Sequence, residues 1–209
     1  MSQIETDLKV LCELAKELGA TNAAPLAAKG VAVDERVRLK CLVPLCDDYG
    51  QNLMCPPWVM SVQEFRDALL KYSWAVLIQI EAPITPEMKK EVGKAVDVTA
   101  LYRSDKFADI YKKEFGPVRM KLHQLVNKLE AEANMLGYRF ATGFKAGSCR
   151  LCPECAVNEP NRICRHPYQS RPAMEAVGID VFETARNAGL PFEFPVKDKA
   201  VWNGLVLVS

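Results

Sequence analysis

The sequence predicts an α+β fold with an antiparallel or mixed sheet, helices mainly on one face and a cysteine-rich metal-cluster loop, and three observations carry that prediction. Helical and strand-like patterns interleave along the chain without the regular alternation of a parallel sheet. The strand candidates are short, and capping signals mark several helix starts. Seven of the eight cysteines fall into two groups outside the periodic segments.

Ile4, Leu8, Leu11, Ala15 and Leu18 recur at helical spacing, so a helix is predicted over 4–18, with Cys12 inside it as a small apolar core residue. The Ala-rich stretch from Gly19 to Gly30 reads as a loop. Ser61 and Glu64 form a capping box for a helix reaching about Tyr72, with Val62, Phe65, Leu69 and Tyr72 on one face. Trp74 to Glu81, rich in Val, Leu and Ile, reads as a strand. Thr85-Pro86 opens another helix, with proline at the first helical position. Pro117 is read the same way, opening a longer helix that carries Val118, Leu122, Leu125, Leu129, Ala133 and Leu136 and stops at Gly137. His123 lies off that stripe and is expected in solvent. Tyr138 to Phe144 reads as a strand delivering the chain to the cysteines. Asp180 and Glu183 cap a helix ending at Gly189, and Leu205 to Val208 closes as a strand.

The later cysteines carry the most chemistry. Cys149-Arg-Leu-Cys152-Pro-Glu-Cys155, followed by Cys164-Arg-His-Pro, places four thiols in sixteen residues. Three close sulfurs from one tight loop suit a cubane, with a more distant fourth closing the coordination, so a [4Fe-4S] cluster is predicted. Zinc is the alternative, although a zinc ribbon needs only cysteine pairs and leaves the third close cysteine surplus. Lys145, Arg150, Arg162, Arg165 and Arg171 surround the motif against Glu154 and Glu159, a bias that suits an anionic cluster. Arg165, His166 and Arg171 are therefore expected to be cofactor-binding. His166 reads as a donor to the cluster's ligands or a turn residue.

Cys41, Cys46 and Cys55 form a looser second group, and three thiolates leave one iron of a cubane without a protein ligand. Two readings follow. A second cluster would extend an electron-transfer protein, whereas an iron with an open position would act as a Lewis acid in a lyase or desulfidase type of enzyme. Asp47, Asp48 and Tyr49 stand nearest for proton transfer, and also read as an ordinary turn. A structural zinc or metal-delivery protein is the third reading.

A chain of 209 residues suits a single domain over 1–209 that buries roughly 70% of its unfolded surface. With 27 basic and 26 acidic residues the net charge is +1, so neither nucleic acid nor a membrane is an expected partner; a redox protein or a small-molecule substrate is. The N-terminus has no basic region or apolar run resembling a signal peptide, so a cytoplasmic, reducing setting is expected. No dinucleotide fingerprint or phosphate loop is present.

At Cys55-Pro-Pro, at the Cys149 to Cys164 run with its Cys-Arg-His-Pro, and at Arg171-Pro-Ala-Met-Glu-Ala-Val-Gly-Ile-Asp-Val181, the chain resembles a family of predicted metal-binding, cysteine-rich proteins from anaerobic bacteria and archaea. The resemblance covers most of the chain. It implies metal binding, iron-sulfur in kind, by these seven cysteines in an anaerobic cytoplasm, and implies no particular reaction. In the Arg171 to Val181 segment, Arg171 is expected to hold a carboxylate or a cluster-facing group. Met174 is expected to cover a cluster face or to lead into the Asp180 helix.

Overall fold

The computed structural model describes residues 2–94, 104–193 and 196–209. Helix α1 (Gln3–Glu17) starts at a Ser2 capping box with Glu5 and buries Leu8, Leu11, Cys12 and Ala15. Burial pushes the Cys12 thiol up to about 11, as expected of a cysteine serving as a core residue. Strand β1 (Asn22–Ala27), helix α2 (Glu35–Leu39) and helix α3 (Val62–Leu69) follow, the last with the Ser61 and Glu64 capping box. Strand β2 (Trp74–Pro83), helix α4 (Pro86–Lys94) and helix α5 (Asp105–Met135) lead to strand β3 (Thr142–Lys145), helix α6 (Val181–Asn187) and strand β4 (Lys199–Val208).

The sheet runs β1-β2-β4-β3, antiparallel throughout, which gives the α+β class. Strand residues alternate between its faces. On one face Val76, Ile78, Ile80, Val206 and Val208 pack beneath α1 and α5. On the other, Ala75, Leu77, Leu205 and Leu207 meet Phe65 of α3, Met174, Ile179 and Val181. The longest helices thus share one face, and the short ones and the cysteine-bearing loops take the other or the sheet's end. A polar ladder crosses three strands: Asn22 donates to Gln79 Oε1 at 3.1 Å, and Gln79 donates to Asn203 Oδ1 at 3.0 Å. Gly143 and Gly204 seat α5 on the sheet, since a Cβ at either would lie 2.5 Å from a methyl of Val126.

Five expectations are corrected. The Gly19 to Gly30 stretch contains β1, paired from Asn22↔Gln79 to Ala27↔Trp74. Alanine and proline are weak strand formers, and Pro25 is tolerated because β1 is an edge strand. Pro117 lies inside α5 rather than opening it; the helix starts at Asp105, where the Ser104 side chain accepts from the Phe107 amide at 3.3 Å. Phe107, Ile110 and Phe115 pack with Met88 and Ala82, which offsets the one hydrogen bond the proline forfeits. Strand β3 begins at Thr142, because Tyr138 folds back as a turn and its hydroxyl donates to Asp7 at 2.7 Å. Strand β4 begins six residues before Leu205, its polar Asn203 satisfied by the ladder.

The fifth is His123, which is 1% exposed, with its Nε2–H donated to Gln169 O at 2.8 Å. Burial, and secondarily Lys145, lower its pKa from 6.5 to about 4. Between those values the unfolded chain binds a proton that the folded chain refuses, so stability falls as the pH drops through this window, by roughly 3 kcal/mol in all. Urea unfolding of the metal-free protein between about pH 7 and about pH 4 should show a steeper loss in the native chain than in His123→Gln. Equal slopes would remove His123 as the cause.

Candidate metal centre

Strand β3 ends at Lys145, and the next residues turn sharply to bring Cys149 to the sheet's end. The Ala146 amide donates to Asn203 O at 2.7 Å, Gly147 takes a φ of +70°, and the Gly147 amide donates to Glu175 Oε2 at 3.0 Å. The turn then opens into a cavity of about 300 Å³, which Cys149, Cys152, Cys155 and Cys164 all line. Among the described residues no three His, Cys, Asp or Glu side chains are gathered as ligands of a single ion. The four thiols are distributed around the cavity.

Donors reach these sulfurs from the backbone. The Leu53 amide lies 3.4 Å from Cys155 Sγ, the His166 amide 3.4 Å from Cys164 Sγ, and the Leu151 amide is aimed at Cys149. Ser170 Oγ lies 3.4 Å from Cys164 Sγ. Amide hydrogens directed at sulfur favour its thiolate form. Burial acts the other way and raises the Cys149 thiol above its ordinary value, the Leu151 amide and Lys145 opposing it. Metal binding at such a thiol releases a proton. The donor set of four thiols, amide hydrogens and local cations fits an iron-sulfur cluster.

The Cys41 to Cys55 segment forms part of the same cavity through the residues between its cysteines. Asn52, 3% exposed, donates from Nδ2 to Cys149 O at 2.8 Å and accepts the Met54 amide at 3.0 Å on Oδ1. Asp48 pairs with Arg150 at 2.9 Å, and the Arg162 guanidinium lies 4.5 Å from the Trp58 ring centre. Nothing in the cysteine spacing singles out Asn52. Its signal is positional, a buried-type amide between two ligand-type residues, and is too weak to read alone.

Cys41, Cys46 and Cys55 do not line that cavity. Cys46 is exposed, Cys41 partly so, and Cys55 is buried against Ala173 and Ala176. The three thiols lie within one another's electrostatic reach. Burial pushes Cys55 up to about 12, with Asp48, Cys46 and Cys41 adding to the rise; burial and then Cys46 raise Cys41.

Arg165 and His166 line the cavity, while Arg171 does not. Arg165 donates to Glu154 O at 2.8 Å and pairs with Glu159; its pKa is raised first by its contact with Cys152 and then by Glu159. Arg171 instead grips Glu130 with two bonds, Nε to Oε2 at 2.8 Å and Nη2 to Oε1 at 2.5 Å. Met174 is fully buried in the core beside Phe144 and does not line the cavity. Asp47 lines the cavity as Asp48 does, whereas Tyr49 is outside it.

No described helix is long and apolar enough to cross a membrane. A family model described as "Predicted metal-binding protein (DUF2284)" matches residues 24–208. No curated protein and no solved structure matches the chain.

Proposed function

Since this chain belongs to the family of predicted metal-binding proteins, we propose that it is an iron-sulfur electron-transfer protein of anaerobic, cytoplasmic metabolism. Cys149, Cys152, Cys155 and Cys164 hold a [4Fe-4S] cluster, and Cys41, Cys46 and Cys55 hold a second centre. The observation that carries the reading is the one cavity lined by all four later thiols, with amide donors on the sulfurs of Cys149, Cys155 and Cys164. When bound, the cluster accepts and releases single electrons. Arg165, with its contact to Cys152, and His166, through its amide on Cys164, fix ligand positions and offset the cluster's negative charge. The partner is a protein or small molecule able to exchange one electron.

A second reading is favoured by the exposure of Cys46 in the three-thiol group. An iron there with no protein thiolate would bind a substrate's oxygen, nitrogen or sulfur, as in a lyase or desulfidase. Iron, zinc and acid-labile sulfide on anaerobically purified protein decide the first issue: about eight irons with matching sulfide are expected, two cubanes' worth. Zinc without sulfide would overturn both readings and leave a structural or metal-delivery protein. On the same sample, a spectral shift with cyanide, a thiol or a hydroxy acid marks the open iron. Absence of any shift while electrons still pass leaves electron transfer alone.

A further inference from the structure

Lys145 is 1% exposed at the end of β3. Its ammonium donates to three carbonyls, Ala146 O at 3.1 Å, Gly147 O at 2.8 Å and Ser148 O at 2.8 Å, which uses all three of its hydrogens. Among the described residues no carboxylate forms an ion pair with it. Glu175 accepts the Gly147 amide at 3.0 Å, keeps its charge, and is the first of the anions that support the Lys145 ammonium across space. Carbonyl dipoles solvate the ammonium without cancelling its charge. A fold that buries a cation in this way ordinarily supplies negative charge close by.

Two short paths lead from Lys145 to the two cysteine groups. Along the chain, Ser148, whose carbonyl accepts the ammonium, directly precedes Cys149. Across the sheet's end, Lys145 forms a backbone bridge with Ala173; the Lys145 amide donates to Pro172 O at 3.2 Å and its carbonyl accepts from Met174 at 2.9 Å. Ala173 in turn packs on Cys55, and its amide donates to Met54 O at 3.1 Å. Lys145 therefore stands at the seam where the two groups meet.

We propose that Lys145 is a positioning cation shared by the two cysteine groups, its one ammonium offsetting the negative charge of both metal centres and tying their reduction potentials together. The proposal rests on the reading that both groups hold iron-sulfur clusters. A thiolate-held cluster becomes more negative on reduction, so a fixed buried cation favours the reduced form and raises the potential. The thiols register the same arrangement: Lys145 acts against the rise at both Cys55 and Cys149, and Cys149 and Cys55, after Glu175, support its positive charge. Burial and then Arg119 work against that charge, lowering the Lys145 pKa from 10.5 to about 8 in the metal-free chain. Retaining a lysine there is costly unless anions are held next to it.

The competing role is purely structural, a staple for the turn 146–148. Lys145→Met removes the charge and keeps most of the stem, Lys145→Gln removes the charge and keeps hydrogen bonding, and Lys145→Arg keeps the charge. Native protein is first analysed for iron and sulfide, and both centres are then titrated with dithionite as the one-electron donor. In the neutral variants both potentials are expected to fall, each by about a tenfold change in the one-electron equilibrium, about 59 mV, with Lys145→Arg close to native. Movement of only one centre, or of neither, overturns the sharing, as does an equal shift in Lys145→Arg. Native protein with about four irons and four sulfides keeps the electron-transfer reading and overturns the shared cation, whereas zinc without sulfide fails the underlying reading itself. Lys145→Gln keeps the comparison open if the methionine variant does not fold.

Discussion

Cys152→Ala is expected to lose roughly half or more of the later centre's iron, with acid-labile sulfide falling in step. The later thiols are spread around one cavity, so each can hold a different corner of a cubane. Cys152 sits beside the exposed Pro153 and Glu154, and removing its sulfur opens that corner to water. Arg165 also loses the thiolate it contacts and is left with Glu159 and the Glu154 carbonyl. Iron and sulfide must fall together, because a cubane is lost as a unit; a fall in iron with sulfide intact would point to adventitious metal. Cys12→Ala supplies the control, since Cys12 lies in the core between α1 and α5, and that variant should keep its metal. Undiminished iron and sulfide in Cys152→Ala would remove Cys152 from the ligand set.

What could be read from the sequence divides along the range of the interactions. The caps at Ser61 with Glu64 and at Asp180 with Glu183 are local, and both appear where the spacing puts them. The four later cysteines are close in sequence, and their convergence on one cavity is likewise a short-range consequence. Strand β1 is different: its Asn-Ala-Ala-Pro-Leu-Ala sequence has little strand propensity of its own, and its conformation comes from pairing with β2. His123 was legible as a polar residue off a helical stripe but not as a buried one, because its partner, Gln169 O, is 46 residues away. Asn52 shares that limit, and so does the approach of Lys145 to the earlier cysteines. One is set by a carbonyl 97 residues away, and the other by the bridge that joins β3 to Ala173. Pro117 misled for a physical reason too, since a proline that often starts a helix can also be carried within one when the turns before it have their own apolar face.

Arg171→Met is expected to destabilise the metal-free fold by about 3 kcal/mol, lowering the melting temperature by about 6–12 °C for a chain of this size. One face of α5 holds the segment behind Cys164 at three points: His123 and Asn127 both donate to Gln169 O, at 2.8 and 3.0 Å, and Glu130 takes the Arg171 fork. Positions 123, 127 and 130 are one and two helical turns apart and so project from the same side. Glu130 also accepts the Gly143 amide at 2.5 Å, which ties β3 into the same clamp. The side chains of Arg171 and Glu130 are only 11% and 18% exposed, so removing the guanidinium strands a carboxylate in a poorly solvated place. Some water still reaches both groups, which keeps the loss at the low end of the range for buried pairs. Arg171→Lys keeps the charge and loses the fork, and should fall between native and methionine. Adding Glu130→Leu to Arg171→Met removes the stranded charge and should recover part of the loss, a coupling that the double-mutant cycle measures directly. Because Ser170 and Cys164 lie on the segment being held, a chelator should also strip iron faster from Arg171→Met than from the native protein. An unchanged melting temperature would mean that His123 and Asn127 hold the segment unaided, and unchanged stripping would mean that the clamp does not reach Cys164.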